Sequence, residues 1–329
     1  SSVSASQLGS IAIKAVLEET KVDLNSIDEV IMGNAMQSAE AGYAARLSAL
    51  LAGIPEDIPT IAINRQCSSG LEAINIGAQM IRAGEASIIV AGGTENMSQT
   101  PYLLDYKARF DGLRMGDSTL IDGLTEGLGC PVNRYHMGVT AENVAERFQI
   151  SRSDQDDLAA LSQSRALNAI SSGRFDSQIT EVLVPQRRSD PKKVIVDESP
   201  RKETTIDSLS ALPPAFKKNG TVTAGNASSI NDGAAAVVMM SSEKIGELEI
   251  SPRLKWVSRG VAGVDPAVMG IGPVPATQKA LGKTGLTMKD IDIIELNEAF
   301  ASQALHCIRE LNLDIDKTNV NGSGISLGH

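Results

Sequence analysis

The chain has 329 residues, 42% hydrophobic and 21% charged, with a formal net charge of −10. That length gives two or three domains ample core, while the acidic balance, with no basic block longer than a pair, disfavours nucleic acid as a partner. No run is long and apolar enough to span a membrane, so no membrane partner is expected. Cys67, Cys130 and Cys307, the only cysteines, form neither a disulfide framework nor a CxxC metal pair.

Such sparse cysteines fit a reducing compartment. The cytoplasm is the expected location, with mitochondria or peroxisomes left open because the first residue is not methionine and a leader could precede it. After the polar start at Ser1–Ser6, the spacing of Leu8, Ile11 and Ala15 predicts a helix over 8–19. Glu29-Val-Ile-Met32 reads as a strand ending at Gly33-Asn34, and 41–52 as a second helix. Thr60-Ile-Ala-Ile63 reads as a buried strand, followed by a helix over 68–83 and a strand over 87–91. Together these make a right-handed βαβ unit of a parallel sheet, closed by Gly92-Gly93.

The texture changes from Thr94 to Gly220, where prolines and charged stretches surround helices over 138–148 and 153–170. Ser153 with Asp156 resembles a capping box for the second of these. The segment reads as an excursion from the sheet core. Sheet pattern returns at Ala234-Ala-Ala-Val-Val-Met-Met240. Beyond Pro252 an internal repeat emerges: residues 15–28 align without gaps to 279–292, each leading into a strand (29–32 and 291–296). Ala62-Ile-Asn64 has a partner in Asn319-Val-Asn321, so each half carries a strand that ends in a small-residue loop. One loop delivers Cys67; the other is Gly322-Ser-Gly-Ile-Ser-Leu-Gly-His329.

Cys67 lies where a strand hands over to a helix. Backbone N–H groups and the helix dipole there favour thiolate, the reactive form. Nucleophile and buried core cysteine both remain open on that stretch alone. His329, on the repeat-related loop, is the best partner to take the thiol proton. His136 precedes a helix, as a ligand contact or a helix-start residue. His306 and Cys307 share the helix 299–311, where one is expected to pack and the other to face solvent or a helix end. Asn297-Glu298 follows a predicted strand, where α/β sites lie, though Asn is also a favoured helix cap. The glycines at 322–328 miss a dinucleotide fingerprint by one residue. Basic pairs such as Lys192-Lys193 and Lys217-Lys218 read as solvated surface.

Taken together, Asn64–Ile74, Val90–Met97, Tyr135–Asn143, Gly220–Ser228 with Asn231–Ala234, Asn297–Phe300 and Asn319–His329 resemble the thiolase family over essentially the whole length. The resemblance implies an α/β, layered αβαβα architecture of two pseudo-repeated halves, an N-terminal half over 1–244 with a loop domain over about 97–220 inserted, and a C-terminal half over 251–329. It implies an acyltransferase of lipid metabolism that joins two acetyl-CoA into acetoacetyl-CoA plus CoA, reversibly, through an acetyl-cysteine. Cys67 would be the nucleophile, His329 its activator and Asn297 the holder of an oxyanion-site water, with the Cys67 N–H in a second oxyanion hole. Leu128, Met137, Phe216, Ala224, Ser228 and Phe300 match positions lining the pantetheine and CoA tunnel. His136 matches a polar substrate contact, and Arg201 and Ser208 match contacts nearer the nucleotide of CoA.

No metal or cofactor is implied, CoA being substrate and product, and homodimers or homotetramers are expected. His136-Met137 points to the acetoacetyl-CoA branch, Arg65-Gln-Cys-Ser-Ser-Gly70 to the degradative 3-ketoacyl-CoA branch; the histidine carries more weight because it lies where the acyl chain would extend. A non-catalytic acyl-CoA-binding protein is the alternative of another class. Family members also open with a strand and continue past the Gly-His pair to a second cysteine, the acid/base for the α-proton. Neither Cys130 nor Cys307 matches that position, so a piece of a longer enzyme is expected.

Overall fold

A computed structural model describes residues 2–37, 40 and 42–329. In chain order it contains α1 (Ala5–Thr20), β1 (Glu29–Gly33), α2 (Ala44–Leu51), β2 (Thr60–Ile63), α3 (Ser69–Ala83), β3 (Ile88–Asn96), β4 (Tyr102–Leu104), α4 (Lys107–Phe110), β5 (Leu120–Asp122), α5 (Gly123–Gly127), α6 (Met137–Arg147) and α7 (Arg152–Ser171). There follow β6 (Val182–Val184), β7 (Lys192–Val194), α8 (Ile206–Ser210), β8 (Asp232–Met240), α9 (Ser242–Glu247), α10 (Pro273–Gly282) and α11 (Ala301–Leu311). The expected helix start Ala41 lies outside the described residues; α2 begins at Ala44.

The chain forms two compact units. The first comprises Ser1–Gly127, Thr180–Ile195 and Asn231–Trp256; the second comprises Leu128–Ile179, Val196–Ile230 and Val257–His329. Residues 97–220, expected as one insertion, are therefore shared between the two.

Unit 1 is built on a four-stranded sheet in the order β2-β1-β3-β8. β1 pairs in parallel with β2 and β3, as the βαβ reading requires, and β8 pairs antiparallel with β3. Alternation sorts the sheet's side chains onto two faces. Val30, Met32, Ile88 and Val90 pack with Ile13 and Leu17 of α1 and Ala45 and Ala49 of α2. Ile31, Ile89 and Ala91 pack with Ala73 of α3. Helices thus cover both faces, which is why β1 and β3 read as continuous apolar runs.

β2 differs from its expectation. It is an edge strand, its middle residues exposed, because it stands at the end of the strand order and, among the described residues, pairs only with β1. α1 starts earlier than its apolar spacing indicates: Ser4 caps it in a capping box with Gln7.

Unit 2 is mainly helical. One core gathers Leu158 and Ala159 of α7, Ala301, Ala304, Cys307 and Leu311 of α11, and Leu296 and Ile325. The capping box expected at Ser153 is not formed; Ser151 caps α7, accepting from the Asp154 N–H at 3.0 Å, and Ser153 lies inside the helix. The strand expected over 291–296 is also absent as a ladder. A single parallel bridge joins Ile294 to Thr318, with Ile294 N–H donating to Lys317 O at 2.9 Å and Asn319 N–H to Ile294 O at 2.8 Å. The repeat survives in local form. Its alignment places the 3-10 turn Leu24–Ser26 on the 3-10 turn Met288–Asp290, each following a helix. His306 and Cys307 are both buried, at 8% and 0% exposure, in the middle of α11, so neither faces solvent or a helix end as one of them was expected to. His306 lies against Phe148, ring centroids 3.9 Å apart, and the Cys307 thiol, pushed up to about 11 by burial, donates to Gly270 O.

Candidate active site

In unit 1 the loop before Cys67 is assembled by its own polar atoms. Asn64 Nδ2 donates to Ala35 O at 3.1 Å and its Oδ1 accepts from the Gln66 N–H at 2.9 Å. Gln66 turns the chain with φ +49°, in the left-handed region uncommon for a residue with a side chain. Ser69 Oγ accepts the Arg65 N–H at 2.8 Å and donates to Gln66 O at 2.6 Å, stitching the loop to the head of α3. Arg65 reaches the buried Glu72 at 3.4 Å. The result is a constrained strand-to-helix turn that leaves Cys67 exposed.

The thiolate expected from the helix dipole is not what this turn supports. The protein crowded around the sulfur pushes the thiol pKa up, and the opposing hydrogen bond from its own N–H is the smaller effect. The first N–H groups of the helix are directed elsewhere: Ser68 to Arg65 O, Ser69 to Gln66 O. Cys67 is open by surface area, so this crowding surrounds the sulfur without sealing it. At neutral pH it rests as a thiol and needs a base to react.

The other expected site residues all fall in unit 2. His329 Nδ1 lies 2.5 Å from Asn297 Nδ2, an amide NH2 that only donates, so in this pairing Nδ1 accepts and the ring proton is on Nε2. Asn297, expected to hold a water, is thus bonded to the histidine itself. His136 caps α6, its Nδ1 accepting from the Gly138 N–H at 3.0 Å, so its proton is on Nε2. The ring stacks on Phe216 at 4.8 Å, and Phe216 meets Phe300 edge-on at 5.9 Å. Phe216, Phe300 and Met137 share one apolar cluster, and Met137 N–H donates to Leu128 O at 2.9 Å. Ser228 joins through its N–H to Ala299 O at 3.0 Å, beside the bridge from Ala227 to Phe300.

Leu128, His136, Met137, Phe216, Ser228 and Phe300 are therefore one neighbourhood. Ala224 is exposed on the turn held by Asn226, whose Oδ1 accepts the Thr223 N–H at 2.8 Å. Arg201 is exposed, its N–H donating to Gln163 Oε1 at 2.9 Å. The Ser208 hydroxyl is engaged in a capping box with Thr205 at the head of α8. Sequence reasoning missed Ser162 and gave no role to the side chains of Asn319 and Ser326, though it singled out their stretch; all three are buried polar groups beside the Asn297 and His329 loops.

Burial pushes the imidazoles of His136 and His306 below their ordinary value of 6.5, and the protein crowded around the His329 ring does the same although that residue is exposed by surface area. The folded chain binds these protons less readily than the unfolded one. Their contribution to stability is complete above pH 6.5 and is lost as pH falls through the lower folded values. NMR titration of the three histidine rings is expected to give midpoints below 6.5, and a midpoint at or above it for any ring contradicts that lowering.

Two family models match the chain: Thiolase, N-terminal domain, over residues 1–243 and Thiolase, C-terminal domain, over 250–329. Acetyl-CoA acetyltransferase of Pseudomonas aeruginosa is 49% identical over 328 residues, covering 99% of this chain and 83% of that protein. The crystal structure of Bacillus anthracis acetyl-CoA acetyltransferase superposes with a TM-score of 0.92 at 43% identity, over 97% of this chain and 82% of that one. Human mitochondrial 3-ketoacyl-CoA thiolase in complex with CoA gives 0.94 at 45% identity, over 99% and 81%. With the strand-to-helix cysteine turn, the Asn297–His329 pair and matches spanning nearly every residue, the chain belongs to the thiolase family.

Proposed function

We propose that the protein is an acetyl-CoA C-acetyltransferase that condenses two acetyl-CoA into acetoacetyl-CoA and CoA, reversibly. In the first half-reaction the Cys67 sulfur attacks the thioester carbonyl. Its proton passes to His329 and then to the departing CoA sulfur, leaving acetyl-Cys67. Both groups rest neutral near pH 7, the Cys67 thiol raised and the His329 imidazole lowered by the protein around them; His329 acts as a general base through Nε2 when the Asn297 amide turns its oxygen to accept from Nδ1–H. In the second half-reaction another acetyl-CoA loses an α-proton, its α-carbon attacks the acetyl-Cys67 carbonyl, the bond from that carbonyl to the Cys67 sulfur breaks, and a proton returns to the sulfur to restore the thiol. No residue of this chain is assigned to remove the α-proton.

One observation favours the short substrate: His136, fixed by the Gly138 N–H and the Phe216 ring, has Nε2–H as its unengaged donor beside the Met137–Phe300 cluster. A polar donor there suits a compact acyl group better than a long alkyl chain. The names of the relatives from Pseudomonas aeruginosa and Bacillus anthracis agree. Homodimeric or homotetrameric assembly, domain halves at 1–244 and 251–329 and independence from metals or cofactors belong to the same proposal and rest on the resemblance, while cytoplasmic location rests on the sparse cysteines.

The full-length protein is expected to give higher kcat/KM for acetoacetyl-CoA than for 3-ketoacyl-CoA of ten or more carbons. A clear preference for the long chain supports the degradative reading instead. Labelled acetyl-CoA should leave one adduct, on Cys67; no adduct would mean an acyl-CoA-binding protein without catalysis.

A further inference from the structure

We propose that Glu298 is a positioning residue for the Asn297–His329 pair, its buried carboxylate fastening together the two loops that carry them. The inference rests on the reading of Asn297 and His329 given above. Glu298 is 1% exposed. It accepts from Ser162 Oγ of α7 at 2.6 Å, from Asn319 Nδ2 at 2.9 Å and from the Ile325 N–H at 3.4 Å. The three donors come from two segments of unit 2, α7 and the stretch 319–329, and Ile325 lies within the loop that ends in His329.

Those donors are themselves held. Asn319, in the left-handed region at φ +50°, accepts from the Leu296 N–H and donates to Leu296 O, both at 2.8 Å. Ser162 Oγ lies 2.8 Å from Ser326 Oγ, and Ser323 Oγ donates to Leu296 O at 3.1 Å. Arg165 anchors the same neighbourhood, donating to Thr318 O at 2.7 Å and Ile315 O at 2.9 Å. The two loops touch as backbone. A Cβ on Gly324 would lie 2.7 Å from Glu298 O and 2.9 Å from Asn297 Oδ1.

A carboxylate fits because every partner donates and it only accepts. Burial raises the carboxyl's pKa, and the hydrogen bonds from Ser162, Asn319 and Ile325 with the charge of Arg165 offset that cost only in part. Glutamine at 298 has the same size but must turn an NH2 toward at least one donor. Half-satisfied buried networks lose geometry before the fold is lost. Small misplacements of reacting groups are costly, on the order of 10²-fold for 1 Å.

The test uses the full-length enzyme with Glu298→Gln and Ser162→Ala. Histidine NMR reads His329 directly, its signal assigned with His329→Asn. In Glu298→Gln the His329 midpoint is expected to shift, with His136 and His306 unmoved. The kcat should fall roughly 10- to 100-fold while KM stays within about twofold. Ser162→Ala, which removes one donor and keeps the carboxylate, should show the same pattern more weakly. A general structural role would instead lower the melting temperature and move all three histidines, overturning the proposal. An unmoved His329 with kcat within about twofold also overturns it. Should Glu298→Gln fail to fold, Ser162→Ala carries the same readouts and an unmoved His329 there decides against it. If the parent enzyme transfers no acetyl group, the functional reading fails, and the His329 titration still decides this one.

Discussion

Cys67→Ser is expected to lower kcat by roughly 10⁴-fold or more, because removal of a nucleophile disables the whole catalytic unit. The hydroxyl occupies nearly the sulfur's place, so the turn made by Asn64, Gln66 and Ser69 should persist and the melting temperature should hold. The chemistry does not survive, because serine's hydroxyl is far less acidic than a thiol and this site already disfavours the charged form. Incubation with acetyl-CoA followed by intact mass analysis should show one acetyl group on the parent protein and none on the variant. Acetylation of the variant at the parent rate would remove Cys67 from the mechanism.

Gly33→Ala is expected to be among the most damaging substitutions in unit 1. Gly33 ends β1 directly under the head of α3, where a Cβ would sit 2.5 Å from the Gly70 nitrogen and 2.5 Å from the Ser69 carbonyl carbon. Those are backbone atoms, so no side chain can swing aside. Either α3 lifts or β1 withdraws from β2 and β3. Overpacking of this kind costs about 1–3 kcal/mol or more, and the displaced part is the turn carrying Cys67. Thermal unfolding should show the loss of stability. In whatever fraction stays folded, the acetylation rate should fall as well. Full activity in a folded Gly33→Ala protein would mean that α3 adjusts without moving the cysteine.

Local elements were legible where their determinants are local. α3, with its regular apolar spacing, and β1, a continuous apolar run, appear within a residue or two of their expected ends. β2 was legible as a strand but not as an edge, since Thr60-Ile-Ala-Ile63 fits either position and only the strand order decides. The run over 291–296 is as apolar as β1 yet gains a single bridge, because a strand is defined by its neighbours. Cys67, His329 and Asn297 could be singled out because their chemistry is unusual in a glycine-rich loop or at a strand end. Ser162 could not: it lies 136 positions from Glu298, and nothing in a helical serine advertises such a partner. The direction of the Cys67 pKa shift was misjudged because a helix dipole can be inferred from one segment, whereas crowding depends on every segment that comes near.

The pairing of β8 with β3 sets an order of events during synthesis. β1, β2, α3 and β3 are close in the chain, and this βαβ core can form early on the ribosome. Its last strand, residues 232–240, emerges only after α6, α7 and α8 of the other unit have been translated. Until then β3 presents an unsatisfied edge of Ile88-Ile-Val-Ala91, the kind of surface that aggregates when exposed. Neither unit is a contiguous stretch of chain. A nascent chain stalled before Asp232 should therefore depend on a chaperone to stay soluble, whereas one released after Met240 should not.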